Sequence, residues 1–450
     1  MFLIAGLLYG GTLILPDASG IALAQEQKKA DKKNSKAPMR GRQSATLSKR
    51  VYELITDANE KVDAEDYAGA VILLDKIKAM PKLSDYERAQ MYTFYGFLYF
   101  NAEQYDKAIN AYNNVLAQPD LPEGIFQQTI RTLSQLAFVT EDYQLAIKYA
   151  NQYMDEVGPD PDMYVVIGTA HYQIASEKGI QATRADYKKI IAPVEKAIAI
   201  TEERGTASKE QWWLLLRVAY WEQDEFRKVR EILETLVVNW PKKEYWTQLS
   251  GIYYELKDEG KQLATYEAAY DQGMLVKGAE LVQLAQLFMQ ADVPYKGARV
   301  LENGFEVEII ERNVRNLRLL SQAWQLAQED KKAIPPLNEA AGLSEDGELF
   351  ARLAQSHLNL SQYKSCITAS NKAINKSGLK NAGNAYLIMG MCQFETDRLN
   401  DAKASFRKAL KYKKAAKNAR SWIDYVEGEE YRLEQLERSL RLIEEDFQIS

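Results

Sequence analysis

Apolar side chains along this chain fall into paired runs. Within each run they recur at i, i+3, i+4 and i+7, the stripe of an α-helix that buries one face. Two such runs with a short polar turn make a unit, and the unit returns about every 34 residues between residues 50 and 415. The clearest copy starts near Gln90. Tyr92, Tyr95, Gly96 and Tyr99 share one face of a first predicted helix, and Tyr105, Ala108, Tyr112 and Val115 share one face of a second. Asn101–Gln104 is the turn between them. Gly96 and Ala108 are small where two helices would cross closely. Such units stack on their neighbours, so the pattern predicts an all-α solenoid of about ten helical hairpins with a C-terminal capping helix.

The spacing resembles the tetratricopeptide repeat (TPR). Partial copies carry Leu133, Tyr143, Ala146 and Tyr153, then Trp213, Leu216, Tyr220, Phe226, Leu233 and Pro241. Trp246, Leu249, Tyr253, Tyr266 and Ala269 follow, then Leu284, Ala285, Tyr295 and Ala298. The last three copies hold Leu320, Trp324, Ala333, Leu337 and Ala340; Leu353, Ala354, Tyr363 and Ala373; and Tyr386, Gly390, Ala402, Phe406 and Ala409. A copy around Tyr67, Ala70, Leu74 and Ile77 is degenerate. So is one with Ile167, Gly168, Tyr172, Tyr187 and Ala197, whose hairpin turn is about ten residues longer, over Ile174–Asp186.

The resemblance implies a right-handed superhelix whose first helices line a concave groove. Carried over copy by copy, the family's groove positions fall at Phe97, Phe100, Gln135, Phe138, Tyr172, Val218, Trp221, Tyr254, Gln286, Met289, Gln322, Gln325 and Gln355. One position is aromatic in five consecutive copies (Phe100, Phe138, Tyr172, Trp221 and Tyr254) and another is Gln in four. Amides and flat rings on one wall suit an extended or helical peptide. The alternative is that the aromatics pack between neighbouring first helices. The Lys/Asn arrangement with which TPR co-chaperones clamp a C-terminal carboxylate is absent. A lengthened connector, Phe305–Asn316, is a second place where a partner could dock.

Charge divides the chain. The formal net charge is −6, but residues 25–50 carry +7 and residues 51–450 carry −12. An acidic solenoid argues against a nucleic-acid groove. The basic segment has no apolar period and reads as a disordered linker. It is either a spacer or a tether, with a peripheral membrane contact as one use. Before it, the apolar run Phe2–Leu15 and the Ala22-Leu23-Ala24 site read as a secretory signal peptide, with an uncleaved anchor as the alternative. The expected divisions are therefore 1–24 signal peptide, 25–50 linker, 51–414 repeats, and 415–450 charged capping helix and tail.

No catalytic motif is present. His171 and His357 stand where other copies have Tyr, and neither has a metal-binding partner in sequence. The turn Gly158-Pro159-Asp160-Pro161-Asp162 is explained by a helix cap. Cys366 and Cys392 match no zinc or redox spacing; they are two buried thiols or one disulfide between the last two repeats. The reading is a non-enzyme with no cofactor.

Taken with the leader and linker, the stretches VPYKGARVLENG, WLLLRVAYWEQDEF, PKKEYWTQLSGIYYEL and NLRLLSQAW resemble proteobacterial periplasmic TPR proteins. Members of that group are often encoded beside TonB, ExbB and ExbD. The resemblance implies protein partners in the cell envelope and an accessory role in that energy-transduction complex. Assembly factors for outer-membrane, secretion or polysaccharide machinery share the architecture, as do regulators of cell-wall enzymes.

Overall fold

The computed structural model describes residues 46–344, 347–376 and 378–449. The expected signal peptide and most of the linker lie outside the described residues. Among those described there are 21 α-helices and no strand. The chain divides into two compact units at Pro241/Lys242.

The first unit holds five antiparallel hairpins: α1 (Lys49–Asp63) with α2 (Tyr67–Lys78), α3 (Asp85–Asn101) with α4 (Tyr105–Leu116), α5 (Glu123–Val139) with α6 (Tyr143–Val157), α7 (Pro161–Lys178) with α8 (Arg184–Glu203), and α9 (Glu210–Trp221) with α10 (Phe226–Asn239). The second holds five more: α11 (Lys243–Glu255) with α12 (Glu259–Asp271), α13 (Gly278–Gln290) with α14 (Pro294–Glu306), α15 (Val314–Leu326) with α16 (Asp330–Leu343), α17 (Gly347–Asn359) with α18 (Tyr363–Asn375), and α19 (Ala382–Phe394) with α20 (Leu399–Ala409). A long helix, α21 (Ala416–Ile449), follows.

Three of the hairpins are held by a glycine under a larger side chain. A Cβ built on Gly96 of α3 would lie 2.6 Å from the Tyr112 ring of α4. On Gly168 of α7 it would meet Val194 at 2.4 Å, and on Gly390 of α19 it would meet Phe406 at 2.5 Å. Tyr112 and Phe406 are fully buried. The glycine therefore sets how closely the two helices approach, and the apolar stripes bury around that contact.

The hairpin turns repeat one device. The residue after the cap takes a left-handed conformation, and the next amide reaches back five residues. Gln104 N–H donates to Tyr99 O and Asp142 N–H to Ala137 O, both at 2.8 Å, closing the last carbonyls of the helix as in a Schellman motif. Glycine is the usual occupant of such a site. Here it is Glu103, Glu141, Asp224, Lys257, Asp292 or another non-glycine, with φ between 55° and 61°. Each costs about 1 kcal/mol relative to glycine, a term the hairpin packing offsets.

Two details depart from the pattern read in the sequence. The insertion Ile174–Asp186 is mostly helical rather than an enlarged loop. α7 runs on to Lys178, a 3-10 turn spans Gly179–Gln181, and α8 starts at Arg184. Thr183 and Asp186 form a capping box there, and Lys178 hydrogen-bonds Asp186 at 2.5 Å. The Lys178 bond and the Thr183 donors hold the Asp186 carboxyl far below the usual range. Secondly, α1 begins at Lys49, before the expected linker boundary. Its start is tied down because Ser48 donates through N–H and Oγ to Glu87 of α3, at 3.0 and 2.7 Å. Burial alone would raise the Glu87 pKa, but the bonds from Ser48 and Ser84 outweigh it and the carboxyl is lowered.

The long last helix, α21, is the C-terminal capping helix that the sequence predicts. Its first part buries Ala419 and Val426, and Trp422 stacks on Phe406 at 5.5 Å. Beyond that, Tyr431, Leu433, Leu436, Leu440 and Leu442 are exposed.

Cys366 of α18 and Cys392 of α19 form a disulfide, and both are fully buried. Of the two readings open in the sequence, the paired one holds. The bond joins neighbouring hairpins and closes a loop of 26 residues.

Two glycines of similar helical setting should respond with opposite sign. Gly96→Ala forces the buried Tyr112 ring to move and should lower stability by about 1–2 kcal/mol despite the better helix propensity of alanine. Gly251 in α11 has nothing within 4 Å of its missing Cβ, so Gly251→Ala should raise stability by about 0.5–1 kcal/mol. Urea melts of the full chain read both. Replacing Cys366 and Cys392 with Ala should cost about 3 kcal/mol by the same measurement.

Candidate functional site

Every groove residue inferred from the repeat sits on the first helix of its hairpin. In the first unit these are Phe97 and Phe100 on α3, Gln135 and Phe138 on α5, Tyr172 on α7, and Val218 and Trp221 on α9. In the second they are Tyr254 on α11, Gln286 and Met289 on α13, Gln322 and Gln325 on α15, and Gln355 on α17. They differ in how free they are.

The aromatic series in the first unit is largely engaged within its own hairpins. Phe100 lies 5.8 Å from Tyr105, Phe138 lies 5.6 Å from Tyr143, and Trp221 lies 5.6 Å from Phe226. In each case the last ring of the first helix packs on the first ring of the second, five residues on. These rings staple the turn, which neither the groove reading nor packing between neighbouring first helices had supplied. The repeated five-residue spacing was the signal. Phe100 and Phe138 are half-buried, whereas Trp221 is 49% exposed. Tyr172 is half-buried, and burial together with the nearby Glu222 pushes its hydroxyl pKa up. Phe97 and Val218 are half-buried, and Phe97 packs against the core of the first two hairpins.

In the second unit Tyr254 is 54% exposed, with the Lys257 ammonium 5.0 Å from its ring centre. Met289 packs on the core, and Gln322 is half-buried. Two of the glutamines have internal partners. Gln325 donates to Ser356 Oγ at 2.9 Å, bridging α15 to α17, and Gln355 donates to Asn359 Oδ1 at 2.9 Å. Gln135 and Gln286 are exposed, and no hydrogen bond holds either among the described residues.

Gln286 belongs to a concavity of the second unit, a groove of about 450 Å3 between α13, the start of α15 and the connector before α15. That connector falls within the lengthened Phe305–Asn316 segment. It turns inward rather than looping out: Ile310 is 2% exposed and packs over Gly304. Its backbone runs so close to α13 that a Cβ on Gly278 would lie 2.4 Å from Ile309 O. The lining is rich in amides. Gln283 Oε1 accepts from Tyr266 O–H at 3.0 Å, which turns its amide donors outward. The Asn316 side chain donates to Glu311 O at 2.9 Å. Gln286 and Arg315 are exposed and keep their hydrogen-bonding groups unpaired among the described residues.

The remaining chemical candidates have structural roles. Asp160 caps α7 by accepting from Met163 N–H at 3.1 Å, and Arg131 and Lys209 pair with Asp160 and Asp162 at 2.8 and 2.7 Å. His171 is half-buried, and burial, then Lys189, lowers its pKa. His357 Nδ1 lies 2.7 Å from Gln362 Oε1. No group of three metal-ligating side chains occurs among the described residues.

Two stretches, residues 89–117 and 383–415, match the model of the tetratricopeptide repeat family. The chain carries tetratricopeptide repeats there, at α3–α4 and α19–α20. Similar solved structures include the MamA protein, 18% identical over 38% of this chain and 90% of that one, with a TM-score of 0.33. Another is YrrB, described as a TPR protein with an unusual peptide-binding site; it is 13% identical over 42% of this chain and 96% of its own, TM-score 0.35. A third is a tetratricopeptide repeat protein from Parabacteroides merdae ATCC 43184, 13% identical over 61% and 99%, TM-score 0.34. No curated protein matches the chain.

Stapling and free residues should separate by mutation. Phe138→Ala removes a half-buried ring and should lower stability by about 2 kcal/mol. Gln135→Ala, three residues away on the same helix, should change it by less than about 0.5 kcal/mol. Paired denaturation curves distinguish the two.

Proposed function

We propose that this chain is a non-enzymatic periplasmic scaffold that binds extended protein segments and serves a TonB-type envelope complex. The amide-lined groove at α13 and α15 carries the binding part of the reading. A peptide laid in it would find backbone partners in Gln283 and Gln286 and a charge partner in Arg315. Tandem helical hairpins are a platform for protein interaction, since each presents one face of its first helix. A buried disulfide supports an oxidising compartment, in keeping with the apolar leader and Ala22-Leu23-Ala24. The envelope partner follows from the resemblance of its repeats to periplasmic TPR proteins encoded beside TonB, ExbB and ExbD.

The test is affinity capture from cross-linked envelopes of the native host, read by mass spectrometry. The expected result is recovery of TonB, ExbB or ExbD with the wild type and its loss with Gln286→Ala/Arg315→Ala. That variant should melt like the parent, because both side chains are exposed. Recovery of export or cell-wall proteins instead removes the TonB assignment, and equal recovery by the variant removes the groove.

A further inference from the structure

The densest charge in the second unit lies where α20 hands over to α21. Seven basic residues fall between Arg407 and Arg420 with no carboxylate among them. All seven are exposed, and none forms an ion pair among the described residues. Their neighbours behave differently: Lys403 holds Glu430 at 2.5 Å, Arg398 holds Asp401 at 2.6 Å, and Arg432 holds Glu429 at 2.5 Å. In a body whose residues 51–450 sum to −12, carboxylates to neutralise this turn are not scarce. It has been left positive.

Arg407 and Lys408 suit the C-terminal end of α20, and Lys408 lies 5.6 Å from the Tyr386 ring centre, but the cations around the start of α21 have no such role. A helix N-terminus carries partial positive charge and favours acidic side chains. α3 starts with Asp85 and Glu87, and α13 with Glu280 close to its start. α21 has no acidic residue in its first turn. Lys413 and Lys414 precede it, Lys417 and Arg420 open it, and Ala415 has no side-chain oxygen to cap it. Its carboxylates begin at Asp424 and continue with Glu427, Glu429, Glu430, Glu434 and Glu437. This 34-residue helix, roughly 50 Å long, is charged against its own dipole. An external anion at the turn relieves both the mutual repulsion and the reversed polarity.

We propose that this turn docks on an anionic lipid surface, with the acidic end of α21 directed away from the headgroups. Tyr412, 40% exposed in the middle of the lysines, fits the headgroup level, where tyrosine rings concentrate. A nucleic acid would need a longer basic track with several stacking rings. Here there is one exposed ring, and the way onward along α21 turns acidic.

The test is cosedimentation of the full chain with phosphatidylcholine vesicles, with and without about one-third phosphatidylglycerol. Lys411→Gln/Lys413→Gln/Lys414→Gln should bind the anionic vesicles at least about tenfold more weakly while keeping helix content and melting no lower than the parent. Lys417→Glu should bind more weakly yet melt higher, a combination that a structural role would not give. Equal binding by the triple variant overturns the site, leaving the basic segment before residue 50 as the lipid contact. Failure of the wild type to prefer anionic vesicles overturns it also. Tighter binding to a short DNA duplex, lost in the same variant, replaces the lipid with a nucleic acid.

Discussion

The close approach of two helices within each hairpin is the constraint on which the rest depends. Gly96 beneath Tyr112, Gly168 beneath Val194 and Gly390 beneath Phe406 let the backbones near one another, and the large partner fills the space. With that separation fixed, both helices present a flat apolar face to the next hairpin, and the core becomes a run of repeated contacts. It also fixes which residues of the first helix are left over. The outward positions of α13 and α15 are available for a groove because the inward ones are committed to the hairpins.

The hairpins were legible because helical periodicity and small residues at crossings both survive in sequence. The place of the turns was legible too, but their conformation was not, since a left-handed residue is ordinarily betrayed by glycine. Glu103, Glu141 and Asp224 give no such sign, and only the tertiary packing holds them there. The insertion at 174–186 looked like a loop because it breaks the repeat length. Yet Ile174 to Lys178 continues the helix, and Thr183 with Asp186 caps the next one. For the candidate site, the sequence placed Gln286 and the connector near 310 separately. Their meeting depends on Gly278 and Gly304, whose role appears only once the connector is seen to turn inward. The rings at Phe100, Phe138 and Trp221 show the converse. Their identity was legible, but their use was decided by a partner five residues on.

Charge separates what the core leaves unspecified. Across the acidic repeats many cations sit beside a carboxylate, as in Lys243–Glu280, Lys296–Glu267 and Arg312–Glu339. Such exposed pairs add little stability, but they keep the surface locally neutral. A patch that escapes this pairing, like a groove whose amides escape internal bonding, is where an outside molecule meets the least competition from the protein itself.

The disulfide between α18 and α19 has a consequence for a protein exposed to proteases. The connector between α18 and α19 lies between the two cysteines, and its residues 378, 380 and 381 are exposed. A chain cut there would remain one covalent molecule under oxidising conditions. Its two pieces would stay packed through the shared hairpin interface and would part only after a reductant reached the buried bond. Proteolytic nicking at this point would thus be silent in the compartment where the bond forms, and would become visible only when the fragments are taken out of it.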